Sequence, residues 1–257
     1  VLVPTTCGTG SEVTEIAAIN RTRLGCKAGI AGPEMFADDA VLVPELLYGL
    51  PDHVFATSSL DALVHSVEST LSPNSTPYTR MFGYEAMKMI ISGYKAVAEA
   101  GPAGSPERRA KRNELMRDFL IASDYAGISF DTGGCAAVHA LSYQLGGKYH
   151  VPHGESNYAM FTGVLRNYME IKPEGEILKM NQFIADILGC DVADVYDALE
   201  TLINKLLPKK ALHEYGVTEQ DLPEFADRVI KTQERLMKNC FVPLDYDRVL
   251  KIFKELY

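Results

Sequence analysis

From the Gly49-Leu50-Pro51 turn to Tyr257 the apolar residues recur at helical spacing, a pattern that a bundle of packed helices can bury. The segment SSLDALVHSVESTL shows it best. Leu60, Leu63, Val64, Val67 and Leu71 form one stripe, the Ser58-to-Asp61 spacing reads as a capping box, and Pro73 ends the helix. Further helices are expected over about 79–98 and 106–126, with GPAGSP as the loop between them. A central helix should begin near Gly133, carry CAAVHALSYQLGG and end at Gly146 and Gly147. Ile177, Met180, Ile184, Ile187 and Leu188 make another stripe, closed by Gly189. Val192, Val195, Leu199, Leu202, Ile203 and Leu206 make the next, opened by Asp191 as N-cap and closed before Pro208. Helices over 221–238 and 245–257 complete the set. No functional signal is legible after about residue 170, so these last helices are expected to form core and the surface of a homo-oligomer.

Residues 1–50 are patterned differently. Short apolar runs at 1–3, 16–19 and 41–43, punctuated by Gly and Pro, read as strands, and a domain boundary is expected near residue 50. The fold class is therefore mainly α, preceded by a short β segment. Between the first two runs lies TTCGTGSEVT, where Gly8 and Gly10 allow tight turns and Thr5, Thr6, Thr9 and Ser11 offer hydroxyls. Such a loop can cradle a cofactor's phosphate or amide, although the same composition also makes ordinary turns. Lys27 could reach an anionic cofactor or sit in solvent.

A chain of 257 residues with 47% hydrophobic content can bury a sizeable core. Its net charge of −9 carries no basic stripe, which argues against a nucleic-acid partner; Arg108, Arg109, Lys111 and Arg112 alternate with Glu107 and Glu114 on what reads as a solvated face. The five cysteines are odd in number, widely spaced and without a CxxC pair, so a reducing, cytoplasmic location is expected. No apolar run is long enough for a membrane span, and no membrane partner is expected. The chain opens at Val1 without a methionine and is expected to be part of a longer polypeptide.

Against this background four residues stand out. Asp61 and His65 lie one turn apart on the first long helix; His139 and His153 both belong to the stretch HALSYQLGGKYHVPHGESN. Three imidazoles and a carboxylate suit Zn²⁺ or Fe²⁺ better than Ca²⁺ or Mg²⁺, which prefer oxygen alone. Taken singly, an Asp-x-x-x-His pair is as well explained by a helix cap beside a half-buried histidine. Tyr143 shares a helix face with His139 at i, i+4. His150 could replace His153 as a ligand, relay protons or contact substrate, and an imidazole beside the positive start of the helix that carries Glu155 would be biased towards its neutral form. His53 and His213 read as surface residues.

The motifs PTTCGTGSEVT, DALVHSVE and VHALSYQLGGKYHVPHGESN, in that order, resemble those of the iron-containing (group III) alcohol dehydrogenases, and the likeness runs from Val1 to Tyr257. The resemblance implies the dehydroquinate synthase-like fold of that family. Residues 1–50 would be the end of a dinucleotide-binding α/β domain, and 51–257 an all-helical metal-binding catalytic domain. It implies Fe²⁺ or Zn²⁺ on Asp61, His65, His139 and His153. NAD(H) would be lined by Thr5, Thr6, Gly8, Thr9, Thr14 and Lys27, and Tyr143 and His150 would serve the chemistry. Many relatives carry a histidine where this chain has Tyr143; TSSLDALVH, LSPNSTPYT, LHEYG and the final KELY agree with the branch acting on 4-hydroxybutyrate and succinate semialdehyde. The family's GGGS-type phosphate loop does not occur in these 257 residues, so the chain alone is expected to be inactive.

The implied reaction is hydride transfer between nicotinamide and a small alcohol or aldehyde, polarised by the metal, with Tyr143, Lys148 and His150 as candidates to hold a substrate carboxylate. Two other classes fit the residues alone. A metal-dependent hydrolase would need a carboxylate base beside the metal, Glu68 or Glu155. A non-catalytic helical module would use the histidines structurally.

Overall fold

The computed structural model describes residues 1–21 and 26–257, with the backbone only at 18, 20, 21 and 26–29. The expectation of a mainly α chain is met. Among the described residues eleven α-helices follow one another: α1 Asp52–Leu71, α2 Pro77–Glu99, α3 Pro106–Glu114, α4 Met116–Gly133, α5 Ala137–Tyr149, α6 His153–Ile171, α7 Glu176–Leu188, α8 Val195–Asn204, α9 Asp221–Thr232, α10 Glu234–Met237 and α11 Tyr246–Leu256. The β contribution among the described residues is one antiparallel hairpin, β1 Ile16–Arg21 with β2 Cys26–Ala31, in the register Ile16 opposite Ala31. The runs at 1–3 and 41–43 do not form strands; Leu2 makes a single parallel bridge with Ala40.

Helix α1 is the axis of the bundle, packed against α2, α4 and α6. It is buried all round from Phe55 to Leu71 with the single exception of Ser58, so the apolar stripe is only part of its covered surface. Each fully buried Leu or Val on it contributes about 1.5–3 kcal/mol relative to exposure. Its polar residues find partners across the bundle: Ser59 with the Tyr94 hydroxyl at 2.8 Å and Ser69 with Ser129 at 2.7 Å. Helices α5 and α6 pack on each other beside it, covered by α9, α10 and α11.

Several boundaries differ from the sequence-based expectation, each for a local reason. Helix α1 begins at Asp52, because Pro51 (φ −57°) sets the entry and the Asp52 carboxylate sits in the first turn; Ser58 is interior and donates back to the Phe55 carbonyl at 3.3 Å. The helix expected over 106–126 is interrupted at Leu115 and continues to Gly133. Gly146 and Gly147 do not end α5, which runs on to Tyr149. His150 terminates it in the left-handed region (φ 56°), the one described residue other than glycine to do so. The helix expected over 221–238 breaks at Gln233 into α9 and α10. Asp191 precedes a 3-10 turn, Val192–Asp194, that leads into α8, and its side chain makes no capping hydrogen bond there. No helix among the described residues is long and apolar enough to cross a membrane.

Candidate metal centre

Three helices converge on one carboxylate oxygen. Asp61 and His65 come from the middle of α1, His139 from the first turn of α5 and His153 from the first residue of α6. The Nε2 atoms of His139 and His153 each lie 3.5 Å from Asp61 Oδ1, and His65 Nε2 lies 3.7 Å from it. These separations exceed a hydrogen bond. They match the edges of a coordination shell instead, since donors about 2.1 Å from one tetrahedral ion stand about 3.4 Å apart. The donor atoms of Asp61, His139 and His153 all lie within 4.8 Å of one another, and a second trio, His65, Cys135 and His139, overlaps it at His139.

The chain behind the imidazoles decides which nitrogen faces inward. His65 Nδ1 lies 3.2 Å from the Gly8 carbonyl, which can only accept, so Nδ1 carries the hydrogen and Nε2 offers its lone pair. A side chain at Gly8 would strike the Ser58 carbonyl at 2.3 Å, so only glycine brings that loop so close to α1. His65 is also stacked between Phe130 (ring centroids 4.3 Å) and His139 (4.8 Å). For His139 the partner is Glu68. One of its oxygens accepts from His139 Nδ1 at 2.6 Å and from the Ala136 N–H at 2.9 Å, and the other accepts from the Val138 N–H at 2.5 Å. Glu68 thus caps the start of α5, where no side chain of the cap residue itself does so, and orients the imidazole on that same helix. Asn157, one turn after His153 on α6, donates to Asp61 Oδ1 at 2.8 Å, and Ser142 fixes its amide by donating to Oδ1 of Asn157 at 2.5 Å.

The electrostatics follow from this crowding. Burial works against ionised Asp61, but His65, His153 and His139 outweigh it and hold the carboxyl well below the usual carboxylate range. Burial likewise opposes charge on His65, yet Asp61 raises its pKa. For His139 the opposing burial is overcome by Cys135, Asp61 and Glu68. Burial would raise the Cys135 thiol; His139 and His65 bring it down instead to about 7.

The donors open onto a cavity of about 450 Å³. Of the residues expected to line a cofactor, Thr9 and Thr14 border it, and the buried Thr14 hydroxyl has no protein partner among the described residues. Thr5, Thr6 and Gly8 do not border it; Gly8 acts through its carbonyl. The side chain of Lys27 lies outside the described residues. Tyr143 borders the cavity with its ring 6.0 Å from that of His153. His150 is exposed at the end of α5 and does not border it. Lys148 is tied to Asp221, with Glu224 at 3.7 Å, and is likewise not a cavity residue.

The family model for the C-terminal part of the Fe-containing alcohol dehydrogenases matches residues 55–257. The chain belongs to this family. It is 47% identical over its whole length to the 4-hydroxybutyrate dehydrogenase of Clostridium kluyveri, spanning 67% of that protein. It is 33% identical to the sulfoacetaldehyde reductase of Bilophila wadsworthia, with 99% of the chain and 65% of the relative covered. Among solved structures, 1,3-propanediol oxidoreductase superposes with a TM-score of 0.83 at 25% identity, over 99% of this chain and 65% of the other. The Bifidobacterium kashiwanohense sulfoacetaldehyde reductase, in complex with NAD⁺, superposes with 0.81 at 25% identity, over 99% and 63%. The chain thus spans about two-thirds of the length of these relatives.

In this family member the structure also gives residues roles that sequence reasoning did not assign them. Glu68 stands behind the site as a support, with both oxygens engaged, and not as a free base. Asn157 lies at i, i+4 from His153, a signal that was available. Arg235, Lys238 and Asn239 also border the cavity, although nothing in their local sequence marks them.

Proposed function

We propose that Asp61, His65, His139 and His153 hold a divalent ion, Fe²⁺ or Zn²⁺, in an NAD(H)-dependent alcohol dehydrogenase that interconverts 4-hydroxybutyrate and succinate semialdehyde. The observation that carries this is the placement of three imidazole Nε2 atoms 3.5–3.7 Å from one oxygen of Asp61, with the Nδ1 atoms of His65 and His139 engaged from behind. Such a donor set, neutral nitrogens around one anionic oxygen, fits these ions by type, and the three distances from Asp61 match the edge of a tetrahedral shell. The substrate pair rests on the likeness to the Clostridium kluyveri protein. Residues 1–50, which lead into the helices, are read as the edge of a dinucleotide-binding domain and 51–257 as the helical catalytic domain.

An ion in this position supplies Lewis-acid polarisation of a hydroxyl or carbonyl oxygen, and nicotinamide supplies the hydride partner. The chain's own residues do the rest. The Gly8 carbonyl and Glu68 keep the imidazole lone pairs directed inward, and Asn157 keeps Oδ1 of Asp61 in place. Tyr143 holds a proton at its hydroxyl on the cavity wall: burial raises its pKa, against the lowering effect of His139. Thr9 and Thr14 offer hydroxyls on the same wall to the cofactor. His150, at the exposed end of α5, has no part in this reading.

The hydrolase alternative loses its base. Glu68 is committed to three donors, and Glu155 is held by His53 at 3.0 Å and Tyr215 at 3.1 Å, away from the cavity wall. The reading is tested by assaying the chain and its full-length form for succinate semialdehyde reduction with NADH. NADH-dependent turnover of the full-length form, abolished by Asp61→Ala, is expected; nicotinamide-independent hydrolysis would overturn it.

A further inference from the structure

The cavity that contains the three histidines is also lined by two cations, Arg235 and Lys238. Arg235, on α10, and Lys238, just beyond its end, are both exposed on its wall, and among the described residues neither makes an ion pair. Lys148 and Lys210, on elements beside the site, are already committed, to Asp221 and to Glu155. Arg235 borders the same cavity as Tyr143, His65, His139 and His153. Its backbone is fixed there. Leu236 is buried, and the Asn239 amide donates both to the Arg235 carbonyl at 3.3 Å and to the Cys135 carbonyl at 2.9 Å, joining this turn to the head of α5. Of the cavity's other acids, Glu15 and Asp131, the Asp131 carboxylate accepts from the backbone N–H of Glu15 at 3.1 Å.

We propose that Arg235, assisted by Lys238, holds the carboxylate of a short ω-hydroxy acid or its semialdehyde while the other end of the molecule lies among the histidines. Arg235 is then the residue that selects carboxylated substrates over plain alcohols. A guanidinium presents two parallel N–H donors that match a carboxylate, and a chain of three carbons between hydroxyl and carboxylate separates the two ends. The inference rests on the proposed dehydrogenase reading for the hydroxyl end, but the anion site can be tested without it.

The experiment is calorimetric binding of 4-hydroxybutyrate and of uncharged butane-1,4-diol to the chain and to its Arg235→Met and Arg235→Lys variants, with NADH binding and aldehyde reduction by the full-length form measured alongside. The chain is expected to prefer the hydroxy acid. Arg235→Met should lose about tenfold or more of that affinity, Arg235→Lys should recover part of it, and the diol should change by less than about threefold. In turnover the loss should sit in KM for succinate semialdehyde, with KM for NADH unmoved. Equal losses for acid and diol, a loss confined to NADH, or no preference for the acid at the outset would overturn the proposal. An Arg235-dependent acid preference without any aldehyde reduction would leave the anion site standing and remove the dehydrogenase reading. Aldehyde reduction with unchanged discrimination in Arg235→Met would do the reverse.

Discussion

At the scale of single residues, Glu68 carries the most testable consequence. It orients His139 and caps α5 with the same carboxylate, so Glu68→Gln keeps the shape and hydrogen-bonding capacity in part but removes the charge. Metal affinity is expected to fall about 10–100-fold, read by competition with a chromophoric chelator, while the helical circular dichroism is retained. An unchanged affinity would mean that His139 does not depend on Glu68. The four proposed ligands were legible in the sequence because each lies in a contiguous motif with its own spacing. Glu68 was visible only as an acid near histidines. Its role depends on the start of α5, about seventy residues away in the chain, coming within hydrogen-bond reach. Arg235 was not legible at all, since it reaches the cavity only through the turn between α9 and the final helix.

At the scale of elements, close approach of helices sets the site. Gly154 lets the first turn of α6 lie against α1: a side chain there would meet the Thr57 carbonyl at 1.9 Å. Gly154→Ala should therefore cost about 1–3 kcal/mol in urea unfolding and displace neighbouring His153, weakening metal binding as well. A fully stable, metal-binding variant would refute that packing argument. The junction of α5 with α9 is electrostatic. Asp221 accepts from Lys148, the Tyr149 hydroxyl and the Thr218 N–H and hydroxyl, and the Lys148 bond foremost holds its carboxyl well below the usual range. The folded form therefore keeps this group ionised where the unfolded chain, with a carboxyl pKa of about 3.9, binds a proton. Its stabilising contribution is present above about pH 4 and is lost as pH falls below it. Asp221→Asn should be less stable than the parent at neutral pH and lose less on acidification, checked by thermal melts from about pH 6 to 3. Helix types were legible from periodicity, but the end of α5 was not, because His150 and not the glycine pair adopts the left-handed turn.

At the scale of the molecule, one apolar core joins α1, α2, α4, α5 and α6, and the proposed ligands are carried by three of these helices rather than by a loop. A bound ion would therefore add its binding free energy to the fold, and removing it should lower the melting temperature. A helical module that used its histidines only structurally would melt at the same temperature after chelation. The most direct test is the metal content of the anaerobically purified chain, by mass spectrometry, beside Asp61→Ala and His153→Ala. The account predicts close to one iron or zinc per chain, lost in both variants while they stay folded. A folded chain that takes up neither metal when supplied with it, or variants that retain it, would contradict the account.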